Sequence, residues 1–413
     1  MRQPPLVRLL LVTCAVAGLI LTMLPAAGAA ASGPPALAAS HVPVCPRGRQ
    51  PVMARCHLEL PGDGQLQSAT APDPSALDPA TIRAVYGFAA PPEPVPAFGS
   101  SSLPGAGKTI AIVDAYDSPA AESDLAVFSL QYSLPTCTTA NGCFTKVDQY
   151  GGSNYPSISG AWALEISLDV QWAHAIAPGA RILLVEATSS SLVDLLAAED
   201  YARTHATYVS NSWGTSEFGA EQLYDGHFSQ PGVSFFASAG DSGLPADWPS
   251  ASPNVISVGG TTLAANSATG TLLDSTGLFI GSETGWSSSG GGCSQYERAT
   301  SAQSAFRQYK QAKCGVKRAT PDVALIADPA SGVSVYDSTP YSGAQGWFKV
   351  GGTSVGAPMW AARSAVVGTV VNATFVYGSS IAYRDIVSGN NGAPCLVGYD
   401  LCTGRGSWTG GTP

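Results

Sequence analysis

The stretch Val350–Pro358, VGGTSVGAP, decides which fold this chain has, because its serine would serve more than one hydrolase architecture. Glycines on both sides let the backbone turn tightly and leave the small Ser354 hydroxyl exposed at the mouth of a helix, which suits a nucleophile. A serine hydroxyl is inert without a base to take its proton. The chain has five histidines, His41, His57, His174, His205 and His227, and none follows Ser354.

That order separates the candidates. Gly352 to Gly356 satisfies G-x-S-x-G, the nucleophile elbow of α/β-hydrolases, but an esterase of that kind carries its acid and histidine after the serine. A subtilisin-type arrangement runs aspartate, histidine, serine and needs a histidine in a Gly-flanked turn. Asp114, in IVDAYDSP, could be the aspartate, yet no histidine is so placed. A carboxylate is the remaining base, and LEISLDVQWAH supplies Glu165 and Asp169. Four residues apart at about 100° per residue, they fall within roughly 40° of each other on one helical face, with His174 near the opposite face. Two such acids repel when both are ionised, so the pair tends to hold one shared proton. A solvated acidic face is the competing reading; the surrounding Trp162, Leu164, Ile166, Leu168, Val170, Trp172 and Ile176 favour burial, where carboxylates need a reason. Asp241, in SAGDSG, ends an apolar run and reads alone as a turn or cap aspartate.

Working outward, TIAIVDAY, ARILLVEA, TYVSNSWG, VSFFASAGDSG and NVISVGGTTL predict buried strands. AAESDLAVFSLQY, GAWALEISLDVQWAHAIAPG and SSLVDLLAAEDYARTHA predict helices between them. Such alternation indicates an α/β fold with a parallel sheet covered on both faces, whose functional groups gather at the carboxyl ends of strands. SNSWG, SAGDSG and VGGTS each end a strand run.

Residues 1–31 read as a signal peptide: Arg2 and Arg8, the run LLLVTCAVAGLILTMLP, then AAGAAASG. This predicts a secreted protein without stable membrane association. Cys14 lies in that segment, and the other eight cysteines suit an oxidising compartment. Their local spacing suggests Cys45 with Cys56, Cys137 with Cys143, Cys293 with Cys314 and Cys395 with Cys402, one of 105 pairings. A metal cluster is the rival use, but no CxxC pair is present. With 12% charged residues and a net charge of −9, the chain has no basic stripe for nucleic acid. Residues 32–102 are proline-rich and predict a short pro-segment or linker with one short helix in SALDPATIRAVYGF; residues 103–413 form one large domain.

Five motifs, in the order ALEISLDVQWAHAIAPGA, VSNSWG, ASAGDSG, RATPDVALIADP and VGGTSVGAPMWA, resemble the sedolisin family, the serine-carboxyl peptidases, across roughly Thr109 to Pro413. The resemblance implies a subtilisin-like fold in a single large catalytic domain, acting as a monomer on polypeptides. It implies Ser354 as nucleophile, Glu165 as general base and later acid, Asp169 as the residue that orients Glu165, and Asp241 as an oxyanion-hole partner of the Ser354 backbone N–H. An aspartate donates to an oxyanion only while protonated, so activity should be acidic, and a glutamate base with a pKa near 4.3 agrees with that. The N-terminus of the helix near Ser354 adds a favourable dipole. The resemblance also implies one structural calcium ion in a 385–406 loop, held by the carboxylates of Asp385 and Asp400 and the carbonyls of Ile386, Leu396 and Gly398. Three departures stand out: a short pro-segment where the family has a long inhibitory one, a short Pro358–Asp385 stretch, and Asp114 and Asp117 without roles. A neutral subtilisin-type protease and a catalytically silent binding protein of the same fold are the alternatives.

Overall fold

The structure, a computed structural model, describes residues 40–46, 52–62, 68–378 and 380–409; the expected signal peptide lies outside them. Eight strands build the central sheet: β1 (Thr109–Ala115), β2 (Phe144–Asp148), β3 (Arg181–Ala187), β4 (Tyr208–Asn211), β5 (Ser234–Ser238), β6 (Ile256–Ala264), β7 (Ser282–Gly285) and β8 (Val323–Ile326). Their order is β7-β6-β5-β4-β1-β3-β2, with β8 also paired to β6. All pairings are parallel except β6 with β7. This is the mostly parallel sheet expected from the apolar runs, in the subtilisin-like α/β fold that the resemblance implies. From β1 the chain winds outward to β2, back to β3, and then crosses to β4 on the other side of β1. Strand ends at such a reversal leave a crevice between diverging connections.

The helix Gly160–Ile176 is buried at all fifteen residues from Trp162 to Ile176, so it is hydrophobic all round, as an internal helix should be. Pro178 follows its end and cannot continue it. It is anchored to the hairpin Val333–Tyr341/Ala344–Val350 by Trp172 Nε1–H to the Ser334 carbonyl (3.0 Å) and by both ends of the Gln171 amide to Tyr336 (2.6 and 3.0 Å). A second buried helix, Gly356–Val367, carries Ser354 at its entrance on a short turn, Thr353–Val355. Gly352 precedes that turn at φ 100°, a conformation glycine tolerates, and a Cβ there would lie 2.0 Å from the His57 carbonyl oxygen.

Where residues 32–102 are described, they pack onto the domain. The expected short helix forms at Pro79–Tyr86, capped by Asp78 accepting from the Thr81 N–H at 2.7 Å and closed by Gly87 at φ 63°. Its Ile82, Val85 and Tyr86 enter the core, and the Tyr86 hydroxyl accepts from the β8 amide of Ile326. Upstream, Val52–Leu60 forms a strap across the carboxyl ends of the sheet, where Leu58 and Leu60 are buried. All four cysteine pairs expected from spacing are formed. No helix among the described residues is long and apolar enough to cross a membrane.

Candidate active site

Ser354, Glu165 and Asp169 are each 0% exposed, and Asp241 is 5% exposed, at the carboxyl ends of β1, β4 and β5. The i, i+4 spacing sets the carboxyls of Glu165 and Asp169 on the face of their helix that meets the serine turn. Burial raises both well above the ordinary carboxylate range, and each negative charge raises the Glu165 carboxyl further, Asp169 more than Asp114. The unperturbed glutamate value near 4.3 therefore does not apply to Glu165: taking this side chain out of water disfavours its charge before any neighbour acts. The Ser354 hydroxyl lies close enough to favour the Glu165 anion slightly. It makes no hydrogen bond of ordinary geometry to it, and its Oγ–H instead reaches the Ser212 carbonyl at 3.4 Å.

Asp169 accepts from the Ser212 hydroxyl at 2.8 Å. Ser212 sits in SNSWG, where the chain leaves β4 and turns into a separate strand, Trp213–Ser216. Asp114, left without a role by the sequence, lies near the end of β1, fully buried beside Asp169, so the Glu165–Asp169 pair is a cluster of three carboxyls. Its position near the end of a buried strand in IVDAY was the available signal. Asp117 is elsewhere, paired with Lys146 at 2.5 Å, which also lies 3.5 Å from Glu186. His174 faces away as its helical position predicts, bonded to the Pro135 carbonyl at 2.8 Å and pushed down to about 4 by burial.

Asp241 Oδ1 accepts from the backbone N–H and the hydroxyl of Thr353, both at 2.8 Å. Its Oδ2 has no hydrogen-bond partner among the described residues and faces the space beside Gly352. Burial first, then the Glu59 charge, push its carboxyl up to about 8, so it is a neutral acid over the whole acidic range. The Ser354 backbone N–H, the other donor expected here, points into the same space and donates to the His57 carbonyl at 3.2 Å. The site thus already holds a peptide carbonyl on the Ser354 N–H, on the side of Gly352 that Asp241 Oδ2 also faces; the strap contributes it, which the sequence did not reveal.

At the far end of the chain, Asp385 Oδ2 accepts from the Gly398 N–H at 2.8 Å, and Asp400 accepts from Leu396, Cys402 and Thr403 amides at 2.6, 3.0 and 2.8 Å. Both aspartates thereby face one loop, closed by the Cys395–Cys402 disulfide. Among the described residues the carbonyls of Ile386, Leu396 and Gly398 accept no hydrogen bond.

A family model described as the subtilase family matches residues 152–376. Kumamolisin of Bacillus sp. (strain MN-32) is 30% identical over 399 residues, covering 86% of this chain and 66% of kumamolisin. Xanthomonalisin of Xanthomonas sp. (strain T-22) is 28% identical over 386 residues, covering 75% and 44%. Sedolisin of Pseudomonas sp. (strain 101) is 32% identical over 208 residues, covering 43% and 33%. The chain thus spans less than two-thirds of the length of each. The solved structure of Pseudomonas sedolisin, a serine-carboxyl proteinase complexed with two molecules of pseudo-iodotyrostatin, matches with a TM-score of 0.62 at 26% identity, covering 82% of this chain and 96% of that one.

Proposed function

The chain belongs to the subtilase family, within its sedolisin group, and on that premise we propose that it is a secreted serine-carboxyl peptidase that hydrolyses polypeptides at acidic pH. One observation carries the reading: a backbone carbonyl lies at the Ser354 N–H and beside the unpartnered oxygen of a protonated Asp241, with a buried carboxyl pair behind the serine.

In this mechanism Ser354 Oγ bonds to the scissile carbonyl carbon as its proton passes to Glu165, and the carbonyl electron pair moves onto oxygen. The Ser354 N–H and the Asp241 O–H donate to that oxyanion. Collapse breaks the C–N bond, and the leaving amine takes the proton from Glu165. Water then attacks the acyl-serine by the same route, returning the proton to Ser354. Asp169, held by Ser212, orients Glu165 and keeps the shared proton of the pair. Activity needs one negative charge on the Glu165–Asp169 pair and none on Asp241, so it falls at low pH as the pair becomes fully protonated and at high pH as Asp241 ionises near about 8.

We assign calcium to the 385–406 loop. Three carbonyls without donors and two carboxylates supply the hard oxygen ligands the ion prefers. Bound there, it would balance the charge of Asp385 and Asp400 and brace the loop, and it enters no step of the reaction. In the domain organisation that goes with this reading, residues 32–102 are a pro-segment and 103–413 the peptidase.

The test is a pH–rate profile on denatured polypeptide. Cleavage should be lost in strong acid, where the Glu165–Asp169 pair is fully protonated, rise as the pair gains one negative charge, and fall away above about pH 8 as Asp241 ionises, with Ser354→Ala and Glu165→Gln both inactive. If His174→Ala abolished cleavage while Glu165→Gln remained active, the carboxylate base would be wrong. Absence of cleavage at every pH, from folded protein, would favour the binding-protein alternative.

A further inference from the structure

The strap runs through the cleft as an extended strand, bonded on both edges. On one edge the Leu192 N–H donates to the Val52 carbonyl (3.0 Å) and the Ala54 N–H to the Ser190 carbonyl (2.8 Å). On the other, Arg55 and Cys56 pair antiparallel with Gly214 and Trp213, and the His57 N–H donates to the Ser212 carbonyl at 3.2 Å. Past His57 the strand continues to Glu59, which exchanges both backbone hydrogen bonds with Gly351 (3.1 and 2.9 Å). With the His57 carbonyl on the Ser354 N–H, residues Val52–His57 lie on the acyl side of the nucleophile and Leu58–Leu60 on the leaving-group side.

The His57 side chain therefore occupies the pocket for the residue that supplies the scissile carbonyl. It is fully buried. Nδ1 bonds the Ser238 hydroxyl at 2.7 Å, and Nε2 lies 3.7 Å from the Asp247 carboxylate, beyond hydrogen-bond reach. Gly214 forms one wall: a Cβ there would sit 2.6 Å from the imidazole Cε1 and 3.2 Å from Nε2. Burial and then the Arg55 charge hold the ring in its neutral form, so the Ser238 bond carries recognition while Asp247 bounds the pocket.

We infer that the pocket formed by Gly214, Ser238 and Asp247 is the primary specificity pocket and that it selects histidine at the residue before the scissile bond. The inference rests on the peptidase reading above. A flat ring fits against a wall without a Cβ, and its nitrogen satisfies the buried Ser238 hydroxyl. Leucine or phenylalanine would remove the shorter of the two bonds of that hydroxyl and leave it only the Asn211 carbonyl at 3.5 Å, the kind of mismatch by which a hydrogen-bonding site rejects apolar analogues.

The experiment compares kcat/KM of the full chain at about pH 5 on peptides that differ only at this position, carrying histidine, leucine, phenylalanine or arginine. The histidine peptide should exceed each of the others at least about ten-fold, and Ser238→Ala should lower the histidine-to-leucine ratio about five-fold or more. Equal cleavage of the leucine or phenylalanine peptide, a better arginine peptide, or an unchanged ratio in Ser238→Ala would overturn the assignment. Loss of all cleavage would count against the peptidase reading, and the pocket is then decided without turnover. In a Ser354→Ala background, His57→Leu should speed amide hydrogen exchange at Arg55 and His57 more than about ten-fold, and His57→Gln, which keeps a polar end for Ser238, should speed it less. Equal exchange in both variants would overturn the assignment.

Discussion

Replacing Asp241 by asparagine isolates the energetic consequence of keeping an acid neutral in this site. Asparagine matches the protonated acid in shape, accepts the two Thr353 bonds at its carbonyl oxygen and offers an N–H where the acid offers an O–H. In the folded protein the Asp241 carboxyl titrates near about 8, against 3.8 in an unfolded chain. Below 3.8 both states are protonated and the folded-state preference for the neutral acid is fully present. Above it the unfolded chain releases the proton while the folded one retains it, so stability falls with rising pH until the folded carboxyl also ionises. A span of about four units, at about 1.4 kcal/mol per unit, sets an upper bound of about 6 kcal/mol lost from this one group between acid and mildly alkaline solution. Urea unfolding from about pH 4 to pH 8 should show the wild type losing several kcal/mol more than Asp241→Asn. Glu186 and Glu297, both pushed up to about 8 by burial, and Asp337, pushed up to about 7, depress both curves alike. Parallel curves for the two proteins would refute the claim that Asp241 is held neutral.

Three further outcomes follow from the structure. Chelation should lower the melting temperature of the wild type but leave Asp400→Ala unmoved; equal loss in both would remove the calcium assignment. Gly214→Ala drives a methyl into the His57 ring and should destabilise the docked strap by about 1–3 kcal/mol, read as faster amide exchange at Arg55 with the central sheet unaffected; unchanged exchange would contradict the packing. Trp172→Ala empties a fully buried site and removes the bond to Ser334, so a loss of about 3–5 kcal/mol in urea unfolding is expected, and a loss under about 1 kcal/mol would place Trp172 outside the core.

The parts of this molecule legible in the sequence are those with a local signal. TIAIVDAY and ARILLVEA are apolar throughout because β1 and β3 are covered on both faces, and the spacing of Glu165 and Asp169 follows from helical geometry alone. What the sequence hid depends on distant pairing. Nothing near His57 announces that its carbonyl meets an amide almost three hundred residues later, and a proline-rich segment reads as linker because strand pairing of Arg55 with Gly214 leaves no periodicity. Asp114 lies near the end of a recognisable strand, but its neighbour Asp169 is reached only through the crossing of helix and sheet. The proton affinity of Glu165 is hidden for the same reason, since burial is a property of the assembled site.

The break at Ser212, where the chain leaves β4 and Trp213–Ser216 departs from the central sheet, leaves a strand edge that grips a guest through its main chain. Such an edge cannot engage a residue whose amide and carbonyl are already committed to a helix or a sheet of its own. A folded protein must therefore surrender about half a dozen residues of its own structure before this cleft can hold it. On the proposed peptidase reading, digestion of a compact target would be timed by the target's local unfolding.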